Sequence, residues 1–130
     1  MKNVLLIGPK HFLSDVAERS DLPCKLLVIN DGFKALVGLL KLAKTNKRVD
    51  GIYLHDESTR AEVPAYVEMI RALERGLKIE ATPICLAVDD TTAWQGSELT
   101  QLEITVKPSG ENLSEDLVQQ LTRFVSRLGD

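Results

Sequence analysis

The sequence contains few cysteines and no long apolar run, and each scarcity excludes a class of protein. Neither of its two cysteines, Cys24 and Cys85, has a His or Cys neighbour at a metal-ligand spacing. Both lie in apolar segments, which predicts buried, reduced thiols and not a disulfide. No apolar run approaches the roughly 18 residues that span a bilayer, and the first, Val4–Ile7, is shorter than the apolar region of a signal peptide. We therefore expect a cytoplasmic protein without a membrane partner.

The chain also lacks an excess of positive charge and a glycine-rich phosphate loop. Sixteen Lys and Arg stand against 19 Asp and Glu, a net charge of −3, which argues against a general affinity for nucleic acid. The segment Gly8–His11 matches neither glycine-rich loop that binds dinucleotides or nucleoside triphosphates. It also lacks the Ser- or Thr-rich loop with which flavodoxins hold a flavin phosphate. Accordingly, we expect no cofactor and no nucleic-acid partner.

What is present is an alternation of two patterns. The chain has 130 residues, 44% of them hydrophobic, and we expect residues 1–130 to form one domain. Short apolar runs alternate with helix-period segments, which is typical of an α/β domain with helices on both faces of a parallel sheet. Consecutive apolar residues predict strands that are buried on both faces. The predicted strands are Val4–Ile7, Leu26–Ile29, Gly51–Leu54, Pro83–Val88 and Ile104–Val106.

Five segments have helical periodicity. The predicted helices are one with Phe12, Leu13 and Val16 on its inner face; one from Ala35 to Ala43; one from about Ala61 to Leu77, with Pro64 in its first turn; a weakly determined one between Asp89 and Gln101; and a last one N-capped by Ser114, with Leu117, Leu121, Phe124, Val125 and Leu128 inward. Lys41, Lys44, Lys47 and Arg48 follow the apolar face of the second helix. They form either a solvated helix end or a site for an acidic partner.

Three short motifs carry a resemblance to a known family. Asn30–Leu36 contains a turn of the form D-G-x-x-A-L, in which Gly32 is expected to supply the backbone geometry. Val49–Leu54 has the form of a strand that leads to a phosphoacceptor, and Lys107-Pro108 ends the fifth strand. With these motifs the chain resembles the receiver domain of bacterial response regulators over essentially its whole length. The resemblance implies a flavodoxin-like sheet of order 2-1-3-4-5, three α/β/α layers and a role in two-component signal transduction.

The same resemblance identifies positions at which this chain departs from the family. Gly8 and Pro9 replace the acidic pair that binds the metal, and His55 replaces the acceptor aspartate. Of the catalytic set only Lys107 remains, and its charge beside His55 predicts a neutral imidazole at pH 7. The other departures are Ala87 or Val88 in place of the family's hydroxyl residue and Ile104 in place of its aromatic switch residue.

These departures predict that the phosphorylation chemistry is lost. Phosphorylating an aspartate requires Mg²⁺, which prefers carboxylate ligands, and a pocket of Gly8, Pro9 and His55 supplies none. We therefore expect a pseudo-receiver that is not an enzyme, holds no metal and signals by binding another protein. The resemblance implies that a partner, or a second copy in a homodimer, binds the face made by the fourth helix, the fifth strand and the final helix. The candidate contacts are Trp94, Gln95, Ile104, Gln120 and Arg127.

Two alternative functions use the same end of the sheet. In one, a receiver-like phosphotransfer protein uses His55 or Asp56 in a rebuilt site, although strand alternation directs Asp56 away from the pocket unless a loop redirects it. In the other, a small ligand or nucleotide binds where the strands of an α/β sheet end. The acids Asp56, Glu57, Asp89 and Asp90 form a candidate cation site at that edge.

Overall fold

A computed structural model describes residues 2–11, 21–59, 62–94, 102–108 and 113–128. Its strands are β1 (Asn3–Ile7), β2 (Lys25–Ile29), β3 (Gly51–His55), β4 (Ile84–Val88) and β5 (Leu102–Val106). They form one parallel sheet in the order β2-β1-β3-β4-β5, which confirms the predicted fold class. The helices within the described residues are α1 (Gly32–Lys44), α2 (Val63–Leu77) and α3 (Leu113–Ser126), with 3₁₀ turns at Asp56–Ser58 and Thr91–Trp94.

Helices cover both faces of the sheet. Successive residues of a strand point to opposite faces, so apolar strand residues present a surface for helix packing on each side. On one face, α1 and α2 pack on a cluster that includes Leu5, Ile7, Ile52, Leu54, Leu86 and Val88. On the other face, α3 packs on a cluster that includes Val4, Leu6, Tyr53, Cys85 and Ala87. Both cysteines are free and buried, as predicted, and burial raises the pKa of the Cys85 thiol to about 12.

The prediction that strands are buried on both faces is confirmed for the central strands β1, β3 and β4 and is wrong for the edge strands β2 and β5. In β2, Leu27 is 46% exposed and Val28 is 38% exposed, and in β5 Val106 is 53% exposed. An edge strand has a neighbouring strand on one side only, so the helices that cover the sheet centre leave part of its surface open. Consecutive apolar residues therefore did not distinguish an edge strand from a central one.

The start of α1 shows why Gly32 is needed. The Asp31 carboxylate accepts hydrogen bonds from the N–H groups of Phe33 (2.8 Å) and Lys34 (3.2 Å), and so caps the helix. Gly32 was expected to supply the backbone geometry of the turn, but its backbone is not in the left-handed region that favours glycine. Instead, a Cβ atom there would lie 2.6 Å from the carbonyl oxygen of Ser58. Close approach of two chain segments, and not turn geometry, requires glycine at this position.

The other helices begin close to their predicted starts. Pro64 lies in the first turn of α2, where its missing N–H breaks no helical hydrogen bond. The prediction of Ser114 as an N-cap is wrong, because α3 already begins at Leu113, which packs against the second cluster. Glu115 and Asp116 still occupy the first turn, where their negative charges interact favourably with the positive end of the helix dipole.

Parts of two predicted helices lie outside the described residues. Phe12, Leu13 and Val16 of the first helix lie there, as do residues 95–101 of the fourth. The described part of the fourth helix is the 3₁₀ turn Thr91–Trp94. Within the described ranges, no helix combines the length and the apolar character needed to cross a membrane.

Candidate functional site

The carboxyl ends of the parallel strands meet at one edge of the sheet, the carboxyl edge. The register pairs Ile7 of β1 with Leu54 of β3, and His55 of β3 with Ala87 of β4. The Lys107 N–H then donates to the carbonyl oxygen of Val88 at 2.9 Å, which extends the pairing of β4 and β5 by one residue. The segments that follow β3, β4 and β5 therefore converge.

Lys107 lies among three carboxylates at this edge, and its side chain is 11% exposed. Its Nζ atom lies 2.7 Å from Asp56 Oδ1, 3.3 Å from Asp89 Oδ2 and 3.5 Å from Glu57 Oε1. Burial acts to lower the pKa of Lys107, but the hydrogen bonds and charges of these carboxylates outweigh burial and raise it. The ammonium group is therefore held in its charged form. We name Lys107, Asp56, Glu57 and Asp89 the Lys107 cluster.

Asp56 reaches Lys107 because β3 ends one residue before it. His55 is the last residue of the strand, and the chain enters the 3₁₀ turn at once. Strand alternation therefore stops before Asp56, and the turn redirects its carboxylate toward Lys107. Of the two outcomes considered for Asp56 from the sequence, the structure has the redirected one.

His55, which the resemblance places at the acceptor position, is a buried imidazole that is 4% exposed. Its Nδ1 atom accepts a hydrogen bond from the Glu57 N–H at 3.3 Å, so this nitrogen carries no proton. Burial and then the Lys107 charge lower the pKa of His55, while Glu57 and Asp56 oppose the shift. The lowered pKa agrees with the predicted neutral imidazole, with burial as the larger cause.

The other positions that the resemblance assigned to a degenerate phosphorylation pocket carry no polar side chain. Gly8 is buried, and its N–H donates to the carbonyl oxygen of Ile29 at 3.2 Å, while Pro9 is half-buried. Neither residue carries a side-chain oxygen. Ala87 and Val88 are buried in opposite clusters, one on each face of the sheet. The end of β1 and the end of β4 therefore contribute no polar side chain in place of those that the resemblance implied.

The side chains present do not fit a magnesium site of the receiver type. The carboxylates of the Lys107 cluster already surround an ammonium group. Asp90, the fourth predicted acid, accepts hydrogen bonds from the N–H (2.9 Å) and hydroxyl (2.6 Å) of Thr92, and these bonds lower its pKa. In the part of the chain that the structure describes, no three His, Cys, Asp or Glu side chains are arranged to hold a metal ion.

The structure describes three of the five candidate partner contacts in full. Ile104 is half-buried and packs against the first cluster. Gln120 is half-buried; it accepts a hydrogen bond from the Tyr53 hydroxyl and donates one to the carbonyl oxygen of Val106 at 2.8 Å. Gln120 therefore ties α3 to β3 and β5, and its role as a partner contact stays a prediction.

The other candidates stand differently. The Arg127 side chain is 55% exposed and its Nη2 atom lies 2.5 Å from Glu103 Oε1. Trp94 ends the second 3₁₀ turn, and its side chain and Gln95 lie outside the described part of the chain. Sequence reasoning missed Glu103 and Val106. Glu103 alternates with Leu102 and Ile104 in β5, and this alternation is the signal that places it on the α3 face.

Neither the protein-family models nor the curated proteins include a significant match to this chain. Among solved structures, the phosphorylated cyanobacterial phytochrome response regulator RcpA matches with a TM-score of 0.65 and 18% identity, over 95% of this chain and 90% of that one. A response regulator in red-light signalling of R. palustris matches with a TM-score of 0.69 and 13% identity, over 100% of this chain and 97% of that one.

A third match is the receiver domain of a sensor histidine kinase from Pseudomonas aeruginosa, solved with a magnesium ion in its active-site cleft. Its TM-score is 0.62 and its identity 19%, over 96% of this chain and 98% of that one. These similarities cover nearly the whole of this chain and at least 90% of each matched one. The chain thus has the fold of the receiver domains of response regulators.

Proposed function

We propose that this chain is a receiver-like protein-interaction module that signals without an aspartyl phosphate. The observation that carries the proposal is the Lys107 cluster, in which the ammonium group lies 2.7 Å from the nearest carboxylate at the edge where receiver chemistry takes place. The protein thus supplies its own cation to these acids. A module of this kind acts through its surface and not through a reaction.

Electrostatics disfavour phosphoryl transfer at this edge. With its groups ionised, the cluster has three negative charges and one positive charge, so an anionic phosphoryl donor meets net repulsion. The end of β1 offers Gly8 and Pro9, which have no carboxylate to bring a divalent cation. His55 is a poor acceptor, because it is 4% exposed and its Nδ1 atom already accepts a hydrogen bond.

One observation favours phosphotransfer at Asp56 as a second candidate function. The Asp56 side chain is 24% exposed and its carboxylate faces Lys107, whose charge would stabilise a phosphoryl group attached there. The ligand-sensor alternative has no such support. Three cavities that described residues line lie at the opposite edge, where the strands begin.

Amide NMR with phosphoryl analogues separates the first two functions. We expect Mg²⁺ with beryllofluoride or acetyl phosphate to cause no saturable shift at Gly8, His55 or Lys107. Saturable shifts that Asp56→Asn abolishes and Glu57→Gln preserves would establish phosphotransfer at Asp56 and end the proposal. The Glu57 variant is a matched control, because it removes one charge from the same cluster.

The interaction half of the proposal is tested by sedimentation. At the edge strand β5, Val106 is 53% exposed on the same side of the sheet as Leu102 and Ile104, and on the other side α3 carries the exposed Arg127. We propose the edge that they flank, the β5–α3 face, as the surface for a partner, with a second copy as the first case to test. We expect Val106→Glu to convert a dimer into a monomer. Val37→Glu is the control, because Val37 is 52% exposed on α1. A monomeric wild-type protein, or equal disruption by both variants, would exclude this homodimer.

A further inference from the structure

An open groove lies at the opposite edge of the sheet, the amino edge, where the strands begin. Its volume is about 360 Å³, and it is bounded by the starts of β1 and β2 and by the chain at and after the end of α1. Its apolar lining includes Leu26, Leu27, Leu42 and Val49. Leu27 is 46% exposed, because β2 is an edge strand. The groove is distinct from the Lys107 cluster, which belongs to the carboxyl edge.

Three cationic residues, Lys25, Lys47 and Arg48, also line this groove, and all three are exposed. Within the described residues, neither lysine takes part in an ion pair. Arg48 donates from Nη2 to the carbonyl oxygen of Glu80 at 2.8 Å, which fixes its guanidinium without neutralising it. The neighbouring acid, Asp50, accepts a hydrogen bond from the Asn3 N–H at 2.7 Å. That bond does not neutralise Asp50, so one negative charge stands beside the three positive charges of the groove, which leaves the groove with a net positive charge.

The charge around the groove is opposite to that of the whole protein. Residues 21–50 contain six Lys and Arg and three acids, Asp21, Asp31 and Asp50, a local net charge of +3, whereas the chain has a net charge of −3. Asp31 is buried and caps the far end of α1, so it does not face the groove. A local positive field beside apolar surface is complementary to a ligand that carries both carboxylates and aliphatic side chains.

We propose that the amino-edge groove binds an acidic segment of a partner protein. Carboxylates of the segment pair with Lys25, Lys47 and Arg48, and an aliphatic side chain packs on Leu27 and Leu42. A nucleic acid is a poorer fit, because the lining contains no aromatic residue on which bases stack and the acidic chain repels phosphates at longer range. This site is independent of the β5–α3 face proposed above.

Fluorescence anisotropy with a labelled acidic peptide, Asp-Glu-Leu-Glu-Asp-Ile-Glu-Asp, tests the proposal on the full chain. We expect saturable binding that weakens as salt rises from about 0.05 M to about 0.3 M, because salt screens surface charges. We expect amide shifts of the wild-type protein to map to Lys25–Leu27 and Leu42–Val49. A neutral peptide, with Asn for Asp and Gln for Glu, should bind at least about tenfold more weakly.

Two double variants distinguish binding at the groove from attraction to the overall charge of the protein. Lys25→Glu with Lys47→Glu reverses two charges at the groove, and we expect at least about a tenfold loss of affinity. Lys34→Glu with Lys41→Glu reverses two charges outside the groove lining, and affinity should change less than about threefold. All four lysines are exposed, so both variants should fold.

Several results would overturn the proposal. Absence of saturable binding, or equal binding of the neutral peptide, would exclude an acidic segment as the ligand of the groove. Equal losses in the two double variants would assign binding to net charge. Competition by oligothymidylate at equal or lower concentration would make the groove a nucleic-acid surface, and self-association that blocks the peptide would assign the groove to a second copy.

Discussion

The carboxyl edge and the amino edge of the sheet differ in how their lysines are paired. At the carboxyl edge, Lys107 is held by three carboxylates of its own chain. At the amino edge, one ion pair is buried, while Lys25 and Lys47 remain at the surface without a carboxylate partner in the described residues. Charges that the fold itself neutralises support the structure, whereas charges left open at the surface are available for recognition.

The buried pair of the amino edge joins α2 to the start of β4. Arg71 Nη1 donates to Glu74 Oε1 at 2.8 Å and to the carbonyl oxygen of Thr82 at 2.9 Å, and Glu74 Oε2 accepts from the Thr82 N–H at 2.6 Å. Both charged residues are less than a tenth exposed. A pair this deep should be more sensitive to the loss of one partner than the half-exposed Lys107 cluster.

The largest effect should come from Arg71→Met. It leaves the Glu74 carboxylate buried without its cation, so we expect the free energy of unfolding to fall by about 3–5 kcal/mol. Urea unfolding measures this change. Adding Glu74→Leu should recover part of the loss, since the double variant buries no unpaired charge but leaves the N–H and carbonyl groups of the buried Thr82 without these partners. If Arg71→Met is as stable as the wild type, the pair has no structural role.

Gly32→Ala should have the next largest effect. Its Cβ atom would meet Ser58 O at 2.6 Å and the Tyr66 ring at 2.9 Å, which disturbs the turn that positions Asp56. We expect a loss of about 1–3 kcal/mol in thermal or urea unfolding. Gly38→Ala is the control in the same helix, because its nearest atom would lie at 3.5 Å; it should gain about 0.5–1 kcal/mol.

Lys107→Met tests the comparison of the edges directly. We expect it to lower the free energy of unfolding by roughly 1–2 kcal/mol, less than Arg71→Met, because water screens the half-exposed carboxylates that it leaves behind. Lys44→Met, at an exposed lysine of α1, should change stability by less than about 0.5 kcal/mol. A larger loss for Lys107→Met than for Arg71→Met would reverse the comparison.

The smallest effect should be a pH dependence caused by His55. Its folded pKa lies below the ordinary value of 6.5, so above pH 6.5 its contribution to stability is complete. As pH falls below 6.5, the unfolded chain binds a proton that the folded protein resists, and stability is lost down to the folded pKa.

His55→Asn should flatten this acid limb, because asparagine does not titrate while its Oδ1 atom replaces Nδ1 as the acceptor for the Glu57 N–H. Urea unfolding of both proteins between about pH 7.5 and pH 5 measures the difference. Identical slopes, or an NMR titration in which His55 protonates above pH 6.5, would contradict the prediction.

Much of the fold was predictable because it follows from local patterns. The strand cores and the inward residues of α1, α2 and α3 depend on periodicities that span a few residues, and their positions agree with the sequence predictions. The exposure of Leu27 and Val106 was not predictable in the same way. Both lie in apolar runs, and only the sheet order makes their strands the edges.

The candidate site likewise has features that the sequence determines and features that only the tertiary structure decides. The sequence by itself determined that β1 ends without a carboxylate, that β3 ends in His55 and that Lys107 follows β5, because each is a matter of residue type at a strand end. The tertiary structure decided that Asp56, Glu57 and Asp89 share Lys107, that Gln120 joins α3 to β3 and β5, and that Lys25 and Lys47 line one groove. These contacts join residues far apart in the chain, and their distances depend on the register of neighbouring strands and the packing of helices, which no local pattern encodes.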